Sequence, residues 1–394
     1  MVRVAVVHSG TSADAIDVAL VDIVTDERAG VTDMTPLILT DVAWPSALRD
    51  RVLAIALGEP VSIAEVARLD VQIGEAFADA VIRAGCHEAD LVVAPGQTVY
   101  HWVEGGRTRG TLQLGRSAVI AERTGAAVVS DLRAADIAAG GTGAPLMPVF
   151  DGAWLGAEAA HSGEAIATLN LGGIANISRI TPVGTASGWD TGPANGLLDA
   201  VVMRATSGRE SFDDDGYRAA SGRVNRHLLQ IMEGHPYFAQ APPKSTGRET
   251  FALDFVDAAV HTLGGDVPVD DLLATLVRLT ARTVAESLRR AGGASTLIAS
   301  GGGVRNSALM ASMGDALAED GCTLTTSAER GIDPIHKESL LFAFVGYFSA
   351  HAIPIALDPK VGPRVAGVTT PAGWAANTRV SSIGEMQIRE RHMK

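Results

Sequence analysis

Apolar and polar positions along this 394-residue chain follow a layout that occurs twice. Near the N-terminus the runs "VRVAVVHS" and "DVALVDIV" read as strands on either side of the polar turn "GTSADAI". Far downstream, "AIATLNLGG" and "IANISRITP" repeat the scheme of strand, glycine turn and strand. Between them "EVARLDVQIGEAFADAVIRAG" has helical spacing, and "ADLVVAPGQTVYH" reads as a buried strand running into a turn. The second half supplies a counterpart in the helix "DLLATLVRLTARTVAESLRRAGG", the strand "STLIAS" and the turn "GGGVRN". This element order predicts two related α/β halves with a ligand between them. Alternating strands and helices give any open α/β fold a repeated look, so the pattern alone leaves duplication and coincidence level.

The boundary is expected in "AAGGTGAPLMP", residues 138–148, which gives an α/β domain over 1–140 and a second over 141–394. A chain of this length exceeds what one core usually supports. From "DPKVGPRVAGVTTPAGWAANTRV" onward, Pro, Gly and polar residues predict loops, and the last dozen residues a poorly packed tail.

Composition narrows the function. With 47% hydrophobic and 20% charged residues, both halves should hold real cores. The net charge is −13 and lysine occurs only at Lys244, Lys337, Lys360 and Lys394, which argues against nucleic acid as a partner. Cys86 and Cys322 stand in unrelated contexts, so neither a disulfide framework nor metal spacing is expected. No signal-peptide pattern or membrane-length apolar run is present, and a cytoplasmic location is expected.

Four glycine turns follow strands: Gly10-Thr11-Ser12, Gly172-Gly173, Gly192 in "WDTGPANG", and Gly301-Gly302-Gly303. Such turns let backbone N–H groups line an anion-binding concavity, and glycine also simply ends strands. The motifs of a P-loop, a dinucleotide fold, a zinc hydrolase and a serine esterase are all missing. Asp190 follows a strand and precedes a helix near Pro193, where it suits a general base, a metal contact or a helix cap. Asp14 and Asp17 beside a phosphate site would call for a divalent cation, or are structural. Asp131, Arg133 and Asp136 in "SDLRAAD" read as a surface ion pair or as a fork for an anion. Glu338 sits in the first turn of a helix, where it suits the dipole, and Lys244 in "APPKSTGRE" belongs to an exposed loop.

Taken in order, "GTSADAIDVAL", "GQTVYH", "VIAERTGAAVVSDLRAADIAAGGTGAPLMP", "NLGGIANIS", "WDTGPANGLLDA", "DGYRAASGRVN", "PYFAQAPPKSTGRE", "LLATLVRLTA" and "SGGGVRNSALM" resemble the anhydro-N-acetylmuramic acid kinases over most of the chain. The resemblance implies the two-domain α/β fold shared by actin, Hsp70 chaperones and sugar kinases, with a nucleotide cleft between the domains. It implies ATP and Mg²⁺ as cofactors, a small sugar as substrate and a possible homodimer. The implied reaction phosphorylates O6 of 1,6-anhydro-N-acetylmuramic acid while water opens the ring at C1, as part of peptidoglycan recycling. On the matching positions Gly10, Thr11, Ser12, Ala13, Asp14, Ala15, Ile16 and Asp17 form the first phosphate hairpin. Gly172, Gly173 and Asn176 form the second, with Gly192 beside it and Gly301, Gly302 and Gly303 on the nucleoside side. Asp190 becomes the base that activates water, and Gln97, Asp131, Arg133 and Glu338 fall to the sugar; no metal ligand is assigned. The chain departs from the family pattern at His8, Pro95, Asp151 and Ala194. Replacement of histidine by Pro95 and by Asp151 leaves open a kinase of the same fold for another sugar or anhydrosugar. An ATP-regulated binding protein of the Hsp70 type and a glycosidase are the alternatives from other classes.

Overall fold

A computed structural model describes residues 1–26, 31–105, 107–247, 250–358 and 360–372. Thirteen strands run in chain order among these residues: β1 (Val2–His8), β2 (Ile16–Asp26), β3 (Val31–Val42), β4 (Leu91–Val93), β5 (Gln97–Glu104), β6 (Arg107–Leu114), β7 (Ala127–Ser130), β8 (Ile166–Leu171), β9 (Ile174–Ile180), β10 (Ala186–Pro193), β11 (Thr296–Ser300), β12 (Thr323–Thr326) and β13 (Val368–Thr370).

Two main sheets share one topology. The first has the order β3-β2-β1-β4-β7, extended by β13, and the second β10-β9-β8-β11-β12. In each, three antiparallel strands joined in sequence (β1-β2-β3, β8-β9-β10) are followed by two strands parallel to the first (β4 and β7, β11 and β12). The repeated sequence pattern is therefore a duplication of architecture. Each repeat opens on a β-hairpin because its alternating apolar residues feed both faces of a covered sheet.

The helices build layers. Helix Ile63–Arg83 is capped by the Ser62 side chain and buries Leu69, Ile73, Phe77 and Val81 at helical spacing against one face of the first sheet. Helix Lys337–Ala350 covers the other face, where Leu341 and Val345 meet Val4, Val6 and Val21. Helix Met147–Ser162 lies against the second sheet through Leu155 and Ala159, and helices Asn195–Ala205, Val269–Arg290 and Ser307–Ala318 cover its far side. The two inner helices touch, with the Phe150 and Phe344 rings 6.0 Å apart. A stack of helix, sheet, two helices, sheet and helix results.

Three expectations change. The chain crosses back after the second sheet, so helix Lys337–Ala350 and β13, both beyond residue 141, complete the first sheet. β13 also places a strand where loops were expected, while the expected tail lies outside the described residues. "ADLVVAPGQTVYH" is split, since β5 leaves the sheet to pair with β6 in a separate two-stranded ribbon. Among the described residues, no helix is long and apolar enough to cross a membrane.

Candidate active site

The ends of the two antiparallel triplets carry matching polar rows. In the first sheet, His8, Asp17 and Asp41 are register partners on β1, β2 and β3. In the second, Asn170, Asn176 and Asp190 take these places on β8, β9 and β10, with Ser300 beside Asn170 on β11. Period-two alternation fixes this, because the residues that precede and follow each hairpin must share a face.

The first hairpin loop is built by its own polar groups. Ala13 N–H donates to Gly10 O at 3.0 Å, and Ser9 Oγ donates to Ala15 O at 2.7 Å while accepting from Trp44 Nε1 at 3.2 Å. Arg49 Nε donates to Ala13 O at 2.7 Å and its guanidinium lies 3.5 Å from the Asp14 carboxylate. Gly10, Thr11 and Asp14 remain exposed, and Ser12 and Ala15 half-buried, so the loop presents backbone and hydroxyls outward. Ala13 and Ile16 are buried and serve as its anchors. Gln97, expected to reach substrate, is fully buried instead, and its Nε2 donates to Gly10 O at 3.2 Å. It supports the hairpin from behind.

In the second hairpin the amides of Ala194, Asn195 and Gly196 donate to the carbonyls of Gly172 and Gly173 at 3.0–3.1 Å. The start of helix Asn195–Ala205 therefore holds the Gly172-Gly173 turn. Gly301 and Gly303 close against the same place: a Cβ at Gly301 would lie 2.8 Å from Leu171 O, and one at Gly303 2.6 Å from Leu171 Cβ. Gly302 lies between them, so the glycine turns at 172–173 and 301–303 are brought together. Gly192, at a bulge in β10, is buried against Phe238, where a Cβ would approach to 2.8 Å. The close approach that requires glycine there is to protein.

Asp190 is set by one loop. Ser245 Oγ and Thr246 N–H each donate to Asp190 Oδ2 at 2.9 Å, Asp190 N–H donates to Lys244 O at 2.9 Å, and Tyr237 Oη donates to Asp190 O at 2.7 Å. Neither its helix-cap role nor an exposed-loop role for Lys244 survives, since helix Asn195–Ala205 has no side-chain cap and Lys244 is part of the scaffold of Asp190.

From the first sheet, Arg133 Nη1 donates to Gly143 O at 2.7 Å, and Asp136 accepts from Gly143 N–H at 2.8 Å. Asp131, at φ 53°, is half-buried; desolvation raises its pKa and the Ala134 amide opposes that rise. The Glu338 carboxyl interacts with Arg133; desolvation raises its pKa and the guanidinium opposes that rise. Glu338 stays solvent-accessible at the start of helix Lys337–Ala350.

Asp17 is pushed up to about 7 by desolvation and by the charges of Asp41, Glu338 and Asp14. One ligand atom from each of Asp17, Asp41 and His336 lies within 4.8 Å of the others. His8, held down to about 3 by burial and His336, bonds through Nε2 to Ser339 Oγ at 2.9 Å. This acidic row was missed beyond Asp17, because Asp41 and His336 meet it only through strand pairing and the returning helix.

Two glycine hairpins at matching positions, a polar row at the end of each antiparallel triplet and one carboxylate braced by its own loop define a duplicated α/β protein. The profile of the anhydro-N-acetylmuramic acid kinase family matches residues 2–372. An anhydro-N-acetylmuramic acid kinase of Streptomyces coelicolor is 45% identical over 370 residues, covering 93% of this chain and 92% of that protein. Its namesake in Rhodococcus erythropolis is 41% identical, covering 97% of both chains. One from Xanthomonas oryzae pv. oryzae is 41% identical, covering 92% of this chain and 96% of its own. The chain belongs to the anhydro-N-acetylmuramic acid kinase family, and as a kinase it uses ATP.

Proposed function

We propose that this protein transfers the γ-phosphoryl group of ATP to O6 of 1,6-anhydro-N-acetylmuramic acid while water adds at C1, giving N-acetylmuramic acid 6-phosphate and ADP. The observation that carries the reading is the bracing of Asp190, whose carboxylate is oriented by Ser245 and Thr246 at the end of the second polar row. Asp190 takes a proton from water as the water oxygen bonds C1. The C1–O6 bond breaks, and O6 bonds the phosphoryl group as ADP leaves. A positioned base supplies about 10²–10⁴-fold; the rest comes from aligning and neutralising the phosphoryl group.

The exposed loop of Gly10, Thr11 and Ser12 and the turn of Gly172 and Gly173 bind phosphates from opposite halves, with Gly301 to Gly303 shaping the nucleoside side. Glu338 and Arg133 orient the sugar, and Asp131 and Gln97 hold the loops that surround it. Mg²⁺, when bound with ATP, neutralises phosphate charge; Asp17 and Asp41 are oxygen donors whose mutual crowding suits a cation. Two departures from the family pattern, Pro95 and Asp151, are buried. Their burial supports the anhydromuramic acid reading over another sugar, since neither side chain has a surface to offer a substrate.

ADP release with ATP, Mg²⁺ and 1,6-anhydro-N-acetylmuramic acid tests the proposal. Sugar-dependent release with an opened, 6-phosphorylated product is expected. Nucleotide binding without such release would redirect the search to other sugars.

A further inference from the structure

Along helix Val269–Arg290, and reaching Lys244 of the loop that braces Asp190, lies a cavity of about 450 Å³ lined by five cations and three carboxylates. That excess is unusual in a chain of net charge −13. Arg282 pairs with Glu233 at 2.8 Å, and Arg289 and Arg290 share Glu286. Lys244 and Arg278 form no ion pair among the described residues. Lys244 Nζ donates to Tyr237 O at 3.1 Å and sits 4.3 Å above the Tyr237 ring, and Arg278 reaches Ser312 Oγ at 3.4 Å and faces the Glu233 carboxylate at longer range, which Arg282 already pairs. Burial, and then Arg290, lower the Lys244 pKa, so its charge is disfavoured by desolvation and by a like charge.

The cavity and Asp190 share one scaffold. Tyr237, which lies beneath the Lys244 ammonium, donates through its hydroxyl to Asp190 O; the Lys244 carbonyl accepts from Asp190 N–H; and the next two residues bond Asp190 Oδ2. A force on the Lys244 ammonium is thus carried to the carboxylate through fewer than four residues of chain.

We propose that this cavity is an effector site for a small phosphorylated anion, held by Lys244 and Arg278, whose binding changes the setting of Asp190. Its volume suits a sugar monophosphate, and guanidinium and ammonium groups are the usual partners of phosphate. Inorganic phosphate offers the same chemistry in a smaller body. The regulatory half of this inference rests on Asp190 being the base; the binding half does not.

Calorimetric titration of the full chain with N-acetylglucosamine 6-phosphate, and separately with inorganic phosphate, tests binding. Arg278→Gln and Arg282→Gln serve as variants outside the catalytic site, with melting temperature as a control of folding. The expected result is saturable binding weakened at least tenfold by Arg278→Gln, with ADP release in the absence of effector within twofold of wild type. Tighter binding of the sugar phosphate than of phosphate identifies the larger ligand class, and equal affinity identifies phosphate itself. In wild type the anion should alter kcat without competing with the sugar, and Arg278→Gln should abolish that effect. Identical binding by wild type and both folded variants, purely competitive inhibition, or no heat with either probe at millimolar concentration would overturn the proposal. Failure of the kinase reading would show separately, as absence of sugar-dependent ADP release without effector.

Discussion

Lys337 Nζ lies 2.6 Å from Asp151 Oδ1, and the two side chains are only 3% and 0% exposed. Thr168 Oγ1 donates to the other Asp151 oxygen at 2.6 Å. The pair ties the inner helix of the second sheet to the inner helix of the first, one residue before Glu338. A position where the family usually has histidine thus carries half of a compensated ion pair in this chain. Removing one member of a buried pair strands its partner, at about 3–5 kcal/mol, whereas replacing both by apolar residues is often close to neutral. Asp151→Ala is expected to lower the melting temperature strongly, and Asp151→Leu combined with Lys337→Met to recover most of the loss. A double variant that melts below both singles would show that the ions contribute more than mutual compensation.

Asp190→Asn keeps shape and can still accept from Ser245 and Thr246, but it cannot take a proton from water. Turnover should fall by about 10²–10⁴-fold, with the affinity for a non-hydrolysable ATP analogue unchanged. Ser245→Ala removes one of two bonds that orient the carboxylate, and a loss in kcat of roughly tenfold is expected, since one hydrogen bond to a charged group contributes about 1.5–3 kcal/mol and Thr246 N–H remains. Single-turnover rates measured beside nucleotide binding separate these effects from a loss of ATP.

Both halves were legible because each hairpin announces itself locally: apolar alternation on both sides of a glycine turn is enough to read β1-β2 and β8-β9. What brings Asp41 to Asp17, or Gly301 to Leu171, is long-range pairing that no local window contains. The direction of the Asp190 bracing was equally hidden. "PPKSTGRE" has the composition of an exposed loop, and only the fold places Ser245 and Thr246 against a strand more than 50 residues earlier. Gln97 fell to the sugar by resemblance alone, and no local pattern shows what the fold does with it: it is fully buried, and its Nε2 donates to the Gly10 carbonyl inside the protein.

Asp17, pushed up to about 7, predicts a pH dependence with a definite sign. The unfolded chain releases this proton near pH 4 and the folded one near 7, so between those values the folded state holds more protons and stability falls as pH rises. Above about pH 7 the penalty is constant; below about pH 4 it is gone. Asp17→Asn should therefore melt with wild type at pH 4 and above it at pH 8, by an amount equivalent to roughly 2 kcal/mol once solvent screening is allowed for. Coincident melting at both pH values, in protein free of divalent cations, would place the Asp17 carboxyl at an ordinary pKa.

Gly301 has φ +85°, and a Cβ there would lie 2.5 Å from Asn170 Oδ1 and 2.8 Å from Leu171 O, while its own N–H donates to Pro334 O at 2.8 Å. Asn170 is a side chain and can turn away; the Leu171 carbonyl is backbone and leads directly into the Gly172-Gly173 turn. Alanine at 301 must therefore push on the second hairpin as well as strain its own backbone. Gly301→Ala is expected to raise the KM for ATP by about tenfold or more while sparing the sugar side, because the displacement falls on the Gly172-Gly173 turn proposed to bind phosphate and not on Arg133 or Glu338. Gly156→Ala is the matched control: it lies within helix Met147–Ser162 with nothing within 4 Å of the added carbon. Relief of backbone entropy there should stabilise the protein by roughly 0.5–1 kcal/mol. If Gly301→Ala leaves the KM for ATP unchanged in a folded enzyme, the turn at 301–303 has no part in seating the nucleotide.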